Sequence, residues 1–416
     1  MSKNIFVIGI GTAETGGPTA DRLRMYYKAW TSDPEIKVWV LVFPACRTIR
    51  LEDAQEIMPR VFLLRDPEGT DPRTRLNRAF LHYFDSSVHR LHYSCFTGVI
   101  NQIPGEKAAY LLPRTLVADL VAEHFAHDCW HMPLVVEVNE LLSGIALNIS
   151  LPISFPKRIV MVPIWITRLL QAVIEDFRLL HADRKICISD RLRRFHEKSS
   201  KPQVQVPILT DITVPEGRTP PSNPVFTIGF TGSISINKEG MLDILKVLKR
   251  VCRFHAPVLF NVYGMVVHED QEIIQKYIHD NKMENNVVFN PWIPSEEMPG
   301  VLARQDILII NKPRNLQTQY SLPTKLAGYL SSGTPVLSTD VTDIAQIIKD
   351  GESGYIVPPN DPEAMYAKLC YIIDHPEERI RVGLAGQKVA RETLNWQKFA
   401  PALQWIMFPD SKHLTR

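Results

Sequence analysis

Short, continuous apolar runs alternate with helix-patterned segments through this chain, and the alternation happens twice. Runs such as VWVLVF (38–43) and PLVVEV (133–138) have no polar face, so they suit strands of a parallel sheet covered on both sides. In the first half the pattern predicts strands at 4–10, 37–43, 60–64, 108–112, 133–138, 184–189 and 204–208. Helices are expected at about 18–30, 115–129, 160–181 and 190–198. The stretch 66–106 mixes charged, aromatic and turn residues, and partly irregular structure is expected there.

The segment TDITVPEGRTPPSNP (210–224) holds four prolines and little apolar content, which marks it as a linker. A fresh alternation follows: FTIGFTG, helix 239–253, VLFNVYG, helix 269–280, VVFN, helix 295–303, DILIIN, helix 322–332, PVLSTD, helix 342–349, GYIVP, then helices from 361. Six short strands are thus expected in this second half. The reading is α/β, with two doubly wound domains at 1–209 and 225–395. A length of 416 residues fits two cores better than one. Ligands of such sheets sit beyond the strand C-termini, so a cleft between the halves is the expected site.

Bulk properties exclude several classes. Hydrophobic residues make up 45% and charged residues 22%, as in globular proteins rather than disordered ones. The net charge of +2 points to no nucleic acid. The six cysteines are scattered without a CxxC pair, which suits reduced thiols in a cytoplasmic protein. The longest apolar run, Ile159–Ile166, is far too short to span a bilayer. KRIVMVPIWITRLLQAVIEDFRLL (157–180) combines cations, Trp165 and aliphatic residues. It is read either as a peripheral membrane contact or as a core helix. The basic RLRRF (191–195) reads as a solvated helix face.

Four places carry candidate chemistry. Gly9 and Gly11 begin a dinucleotide fingerprint, but Glu14 stands at its sixth position and would repel a pyrophosphate, which demotes a nicotinamide oxidoreductase. Gly16 and Gly17 instead precede a helix and let the backbone approach an anion. In SLPTKLAGYLSSGTPV, Ser321 suits a helix cap, Pro323 the first turn and Gly333 the left-handed end. Lys325 then lies at the positive end of the dipole, where either a phosphate or a neighbouring carboxylate would relieve it. Gly328 in mid-helix costs about 1 kcal/mol relative to Ala, so a ligand or another backbone is expected close to it. Glu137, Glu140 and Arg114 follow strands whose ends face the cleft, where they suit acid–base or anion-binding work; the alternative for the glutamates is capping. His124, His127, Cys129 and His131 cluster near a helix end. Surface histidines are preferred there over a metal site.

These residues are where a family becomes visible. FTGSISINKEG (230–240), VVFNPWIPSEEMPGVLARQDILII (287–310), SLPTKLAGYLSSGTPVLSTD (321–340) and IIKDGESGYIVPPNDPEAM (347–365) resemble the nucleotide-binding half of retaining glycosyltransferases of family 4, which have the GT-B fold. The first half is similar more thinly, in TGGPTADRLR, AAYLLPR, MPLVVEVNELL and HADRKICISDRLRRF. ETLNWQKFAPALQWI (392–406) resembles the closing helix, at about 396–407, that packs back on the first domain.

The resemblance implies two Rossmann-like domains and sugar transfer from a nucleotide-sugar to a carbohydrate or lipid-linked acceptor, with retained anomeric configuration and no metal or other cofactor. Lys238 matches a phosphate-binding lysine. Gly16, Gly17, Trp292, Ile293, Ser321, Leu322, Thr324 and Lys325 fall at donor-binding positions. Two glutamates usual in the family are here Tyr320 and Gly328, and a usual arginine is Ser233. The alternative is therefore a catalytically silent homologue that acts as a binding or regulatory subunit.

Overall fold

A computed structural model describes residues 2–8, 18–43, 47–66, 86–113, 116–148, 155–211, 225–291 and 293–409. The chain divides into two compact units. One comprises Met1–Ser143, Thr167–Val206 and Trp396–Arg416; the other comprises Gly144–Ile166 and Pro207–Asn395. The segment 144–166 thus groups with the second half, where the sequence placed it in the first.

The first unit is built on β1 (Lys3–Ile8), β2 (Ile36–Leu41), β3 (Ala54–Met58), β4 (Val61–Leu64), β5 (Glu106–Leu111), β6 (Leu134–Val138), β7 (Arg184–Cys187) and β8 (Gln203–Gln205). They form one sheet in the order β3-β4-β2-β1-β5-β6-β7-β8. All neighbours are parallel except β3 and β4. The interior of β1, β2 and β6 is almost wholly buried, as continuous apolar runs require. Strand β3 was not expected. Its sequence AQEIM is largely exposed at the sheet edge, and it returns into β4 through Arg60 at φ 64°.

Helices α1 (Pro18–Thr31), α2 (Ser86–Gln102), α3 (Leu116–His124), α4 (Leu142–Leu147), α5 (Phe155–Leu180) and α6 (Asp190–His196) connect these strands. Helix α2 replaces part of the irregular structure expected at 66–106; the rest of that stretch, from 67 to 85, lies outside the described residues. It buries His92, Tyr93, Phe96, Val99 and Ile100, a helical spacing, and Ile103 just beyond its end is buried too.

The second unit has β9 (Phe226–Thr231), β10 (Val258–Tyr263), β11 (Val287–Asn290), β12 (Ile307–Ile310), β13 (Val336–Thr339) and β14 (Tyr355–Val357). All pairs in the order β11-β10-β9-β12-β13-β14 are parallel. The sheet has six strands, one in each apolar run named from the sequence. Its helices are α7 (Ile236–Glu239), α8 (Met241–Phe254), α9 (His268–Asp280), α10 (Met298–Ala303), α11 (Lys325–Ser331), α12 (Ile344–Ile347), α13 (Pro362–Asp374) and α14 (Pro376–Thr393). Helix α8 carries the core stripe Met241, Ile244, Leu245, Leu248 and Val251.

The last helix, α15 (Trp396–Met407), belongs to the first unit and lies along α1. Trp30 Nε1 donates to the Leu403 carbonyl at 3.1 Å, and Gln404 Nε2 donates to the Ala29 carbonyl at 2.8 Å. Among the described residues no helix is long and apolar enough to cross a membrane.

His196 ends α6 and is 1% exposed, with neither ring nitrogen hydrogen-bonded. Burial pushes its pKa down to about 4, and the nearby Lys185 ammonium adds to this. Between pH 6.5 and 4 the unfolded chain therefore binds a proton that the folded chain refuses. Stability from this site is full above pH 6.5 and declines as pH falls toward 4. Urea unfolding should show a loss of up to ~3 kcal/mol across that window, and His196→Leu should flatten that part of the profile.

Candidate functional site

In the second sheet the strand order reverses between β9 and β12. Chains leaving the C-terminal ends of two such strands diverge, and the gap they leave is where ligands of this architecture bind. The loop after β9 is tightly fixed. Gly232 has φ 105°, and a Cβ on Gly264 would lie 2.0 Å from the Gly232 carbonyl oxygen, so the two turns touch backbone to backbone. Asp270, itself buried, accepts a 2.8 Å hydrogen bond from the Ile236 amide and so holds the start of α7. Gly240 closes α7 at φ 58°, and its carbonyl accepts from Asn311 Nδ2 at 3.0 Å.

This framing places Glu239 inside the reversal, 4% exposed, between two ammonium groups. Lys325 Nζ, from the first turn of α11, is 2.8 Å from Oε2. Lys312, just past β12, is hydrogen-bonded to Oε1 and is 3% exposed. Lys325 Nζ also lies 3.8 Å from the centroid of the Phe230 ring, a cation–π contact. Burial pushes the Lys325 ammonium down to about 8, against the pull of Glu239; Lys312 and Lys238 lower it further. Burial alone would raise the Glu239 carboxyl, but the two ammoniums outweigh it and hold its pKa below the usual carboxylate range. Tyr329 fixes the same helix to β9: its hydroxyl accepts from the Thr231 amide at 2.7 Å.

Lys325 meets Glu239 here, as does Lys312, and Lys238 is near enough to lower the Lys325 pKa; Glu239 and Lys312 were not singled out from the sequence. The relief for Lys325 is a carboxylate, the second of the two partners considered. Helix α11 starts at Lys325 rather than 322. Thr324 holds the cap position without a side-chain bond, so Ser321 does not cap. Ser321 is buried instead, and its carbonyl accepts from Thr342 Oγ1 at 3.0 Å. Leu322 is a core residue, Thr324 is exposed and Ile293 is half-buried. Gly333 ends the helix at φ 73°. Gly328 is exposed, and a Cβ built on it meets nothing within 4 Å, so the close neighbour expected there is absent among the described residues. Gly16, Gly17, Arg114 and Trp292 lie outside the described residues.

In the first unit Glu137 is the penultimate residue of β6, but its side chain lies in the core, 1% exposed. Arg22 Nε lies 3.1 Å from Oε1, the Tyr26 hydroxyl donates to the same oxygen at 3.4 Å, and the Tyr110 hydroxyl donates to Oε2. Trp30 packs edge-on to both tyrosine rings. Burial pushes the Glu137 carboxyl up, while Arg22 and Tyr26 oppose the shift. Both oxygens are engaged, so a structural anchor replaces the acceptor-side role expected for it. Glu140 follows β6 and is half-buried. His124 pairs with Asp128 at 2.6 Å and His127 with Asp183 at 2.7 Å. Among the described residues no group of three His, Cys, Asp or Glu side chains is placed to hold a metal.

Comparison with known proteins adds the family context. Residues 225–375 match the model of the family described as Glycosyl transferases group 1, a span shorter than half the chain. The MMP alpha-(1->4)-mannosyltransferase of Mycolicibacterium hassiacum is 28% identical over 127 residues, 30% of this chain and 30% of that protein. The chain thus aligns with about a third of that relative's length. Among solved structures, sucrose-phosphate synthase from Thermosynechococcus elongatus superposes with a TM-score of 0.71 at 13% identity, covering 97% of each chain. Anabaena HepE in complex with UDP-glucose superposes at 0.64 and 14% identity, covering 97% of this chain and 98% of that one. The fold is GT-B, and residues 225–375 carry a glycosyl transferases group 1 domain.

Proposed function

We propose that this chain is a retaining glycosyltransferase of family 4 that moves a sugar from a nucleotide-sugar to an acceptor hydroxyl. The observation that carries the reading is the pair of ammonium groups of Lys312 and Lys325 on Glu239, with Lys238 near enough to act on Lys325, at the strand reversal of the very segment that matches the group 1 family. A nucleoside diphosphate leaves with growing negative charge. Fixed ammonium groups in a partly dry site stabilise that charge without a metal. HepE, of the same fold, was solved with UDP-glucose, which supports a nucleotide-sugar as donor. The acceptor in this reading is a carbohydrate or a lipid-linked glycan. Helix α5 supports peripheral membrane contact: Leu170, Val173, Ile174 and Phe177 share one face and are each at least half exposed.

A second reading has one specific observation behind it. Tyr320 and Gly328 stand where family 4 usually has glutamates, and the space at Gly328 is open. Losing a charged donor contact costs about 1.5–3 kcal/mol. A silent homologue that binds a glycan or a partner would tolerate that loss.

Turnover separates the two readings. Nucleotide-sugars of UDP, GDP, ADP and CMP, screened first by thermal shift, should include one that is consumed, with product anomeric configuration retained by NMR and a rate unchanged by EDTA. An inverted product would overturn the retaining assignment, and no binding of any donor at millimolar concentration would favour the silent homologue. Lys238→Ala should weaken binding of the matching nucleoside diphosphate at least tenfold by calorimetry. Gly328→Ala should raise stability by up to ~1 kcal/mol in urea, because its Cβ meets nothing and alanine favours helix. Gly328→Glu should tighten donor binding; unchanged affinity would show that the open space is not a donor contact.

A further inference from the structure

We infer that Glu239 is a positioning residue that keeps Lys325 charged and aimed for a nucleoside diphosphate. The inference rests on the donor reading above. Glu239 lies in the reversal between β9 and β12, and it is the carboxylate that meets both Lys312 and Lys325. A buried ammonium without a partner costs several kcal/mol, so the group sheds its proton instead. Lys325 is surrounded on every side. Glu239 and Lys238 face it from α7, Lys312 from the end of β12, and the Phe230 ring from β9, while the Tyr329 hydroxyl of its own helix lies near Glu239.

Without Glu239 three ammonium groups would crowd this space with no anion between them. A site empty of ligand would then be forced to neutralise one of them, and an incoming diphosphate would find a weaker grip. With Glu239 the trio it forms with Lys312 and Lys325 holds two positive charges and one negative, so the charge on Lys325 persists before the ligand arrives. The same contact fixes direction. Lys325 Nζ is pinned between the carboxylate and the Phe230 ring, beside Gly232, where a Cβ would stand 3.6 Å from it.

The test compares wild type with Glu239→Gln in calorimetric titrations with UDP and GDP from pH 6 to 9. The ratio of the two affinities at each pH cancels the ligand's own protonation. Expected is a deficit of at least tenfold for Glu239→Gln at pH 8 that shrinks toward pH 6, while Glu239→Asp keeps the wild-type pH profile. A deficit equal at every pH, or none, overturns the inference, because a merely structural role would not depend on pH. A separate readout stands apart from binding. In ¹³C-lysine NMR, with Lys325→Arg for assignment, the Lys325 signal should titrate at lower pH in Glu239→Gln than in wild type; an unchanged midpoint overturns the inference even where donor binding is intact. A wild type that binds none of UDP, GDP, ADP and CMP yet shows the NMR shift overturns the donor reading and not the charge-setting by Glu239. Should Glu239→Gln melt far below wild type, Glu239→Asp carries the test: a pH profile shifted like that of an unpaired lysine overturns the inference, and the wild-type profile supports it.

Discussion

An ammonium group taken out of water must meet an anion, and that demand organises the second unit of this protein. Lys325 and Lys312 are buried where the strand order of a parallel sheet reverses, and Glu239 is the carboxylate that meets both. Much of the local backbone serves to put that one side chain in place. Asp270 pins the start of α7, left-handed Gly240 ends it after a single turn, and Asn311 ties Gly240 to the end of β12. Shorten that turn or remove the positive φ, and the carboxylate leaves the gap. An ion pair of this kind is weak evidence of net stability, since replacing it with apolar packing is often neutral or better. Its place at the strand reversal is therefore more informative about function than about folding.

Glu137 makes the contrast. It too is a buried carboxylate beside a cation, but aromatic rings close around it and both its oxygens are hydrogen-bonded. Nothing is left to offer a ligand. Its work is to join α1, through Arg22 and Tyr26, to the middle of the sheet. Losing one partner of such a pair typically costs 3–5 kcal/mol. Two glutamates at similar burial thus differ in one respect: Glu239 is met by two lysine ammoniums at the strand reversal, and Glu137 by an arginine and two tyrosines in a packed core.

The strands were legible because a parallel sheet covered on both faces needs continuous apolar runs, and VWVLVF and LVVEV have no other good use. Helix α2 was hidden because His92 and Tyr93 fill core positions that a hydrophobic count does not credit, although the spacing from His92 to Ile100 is helical. Strand β3 was hidden because an edge strand can be polar on both faces. Glu137 was misplaced because its position near a strand end was weighed without asking which face it points to; Tyr26, which answers that, lies 111 residues earlier. Lys238 was singled out through family resemblance and Lys325 through its place in the first turns of an expected helix, whereas Glu239 and Lys312 had a purely local signal. One is the residue next to Lys238, and the other directly follows the DILIIN strand at the reversal point.

The short length of α11 changes how a diphosphate would be held. A helix capped at Ser321 would have presented a row of free amides and the positive end of a dipole. The helix instead begins at Lys325, runs seven residues and has no side-chain cap, while Ser321 is turned into the core. In the proposed reading the lysine ammoniums add to whatever potential the helix end supplies, and they, unlike a helix dipole, can be lost by deprotonation. Lys325, pushed down to about 8, is close to that limit. On the proposed reading, an anion grip built on lysine side chains depends on whatever keeps those lysines protonated. In this chain that is a single carboxylate one residue away from Lys238.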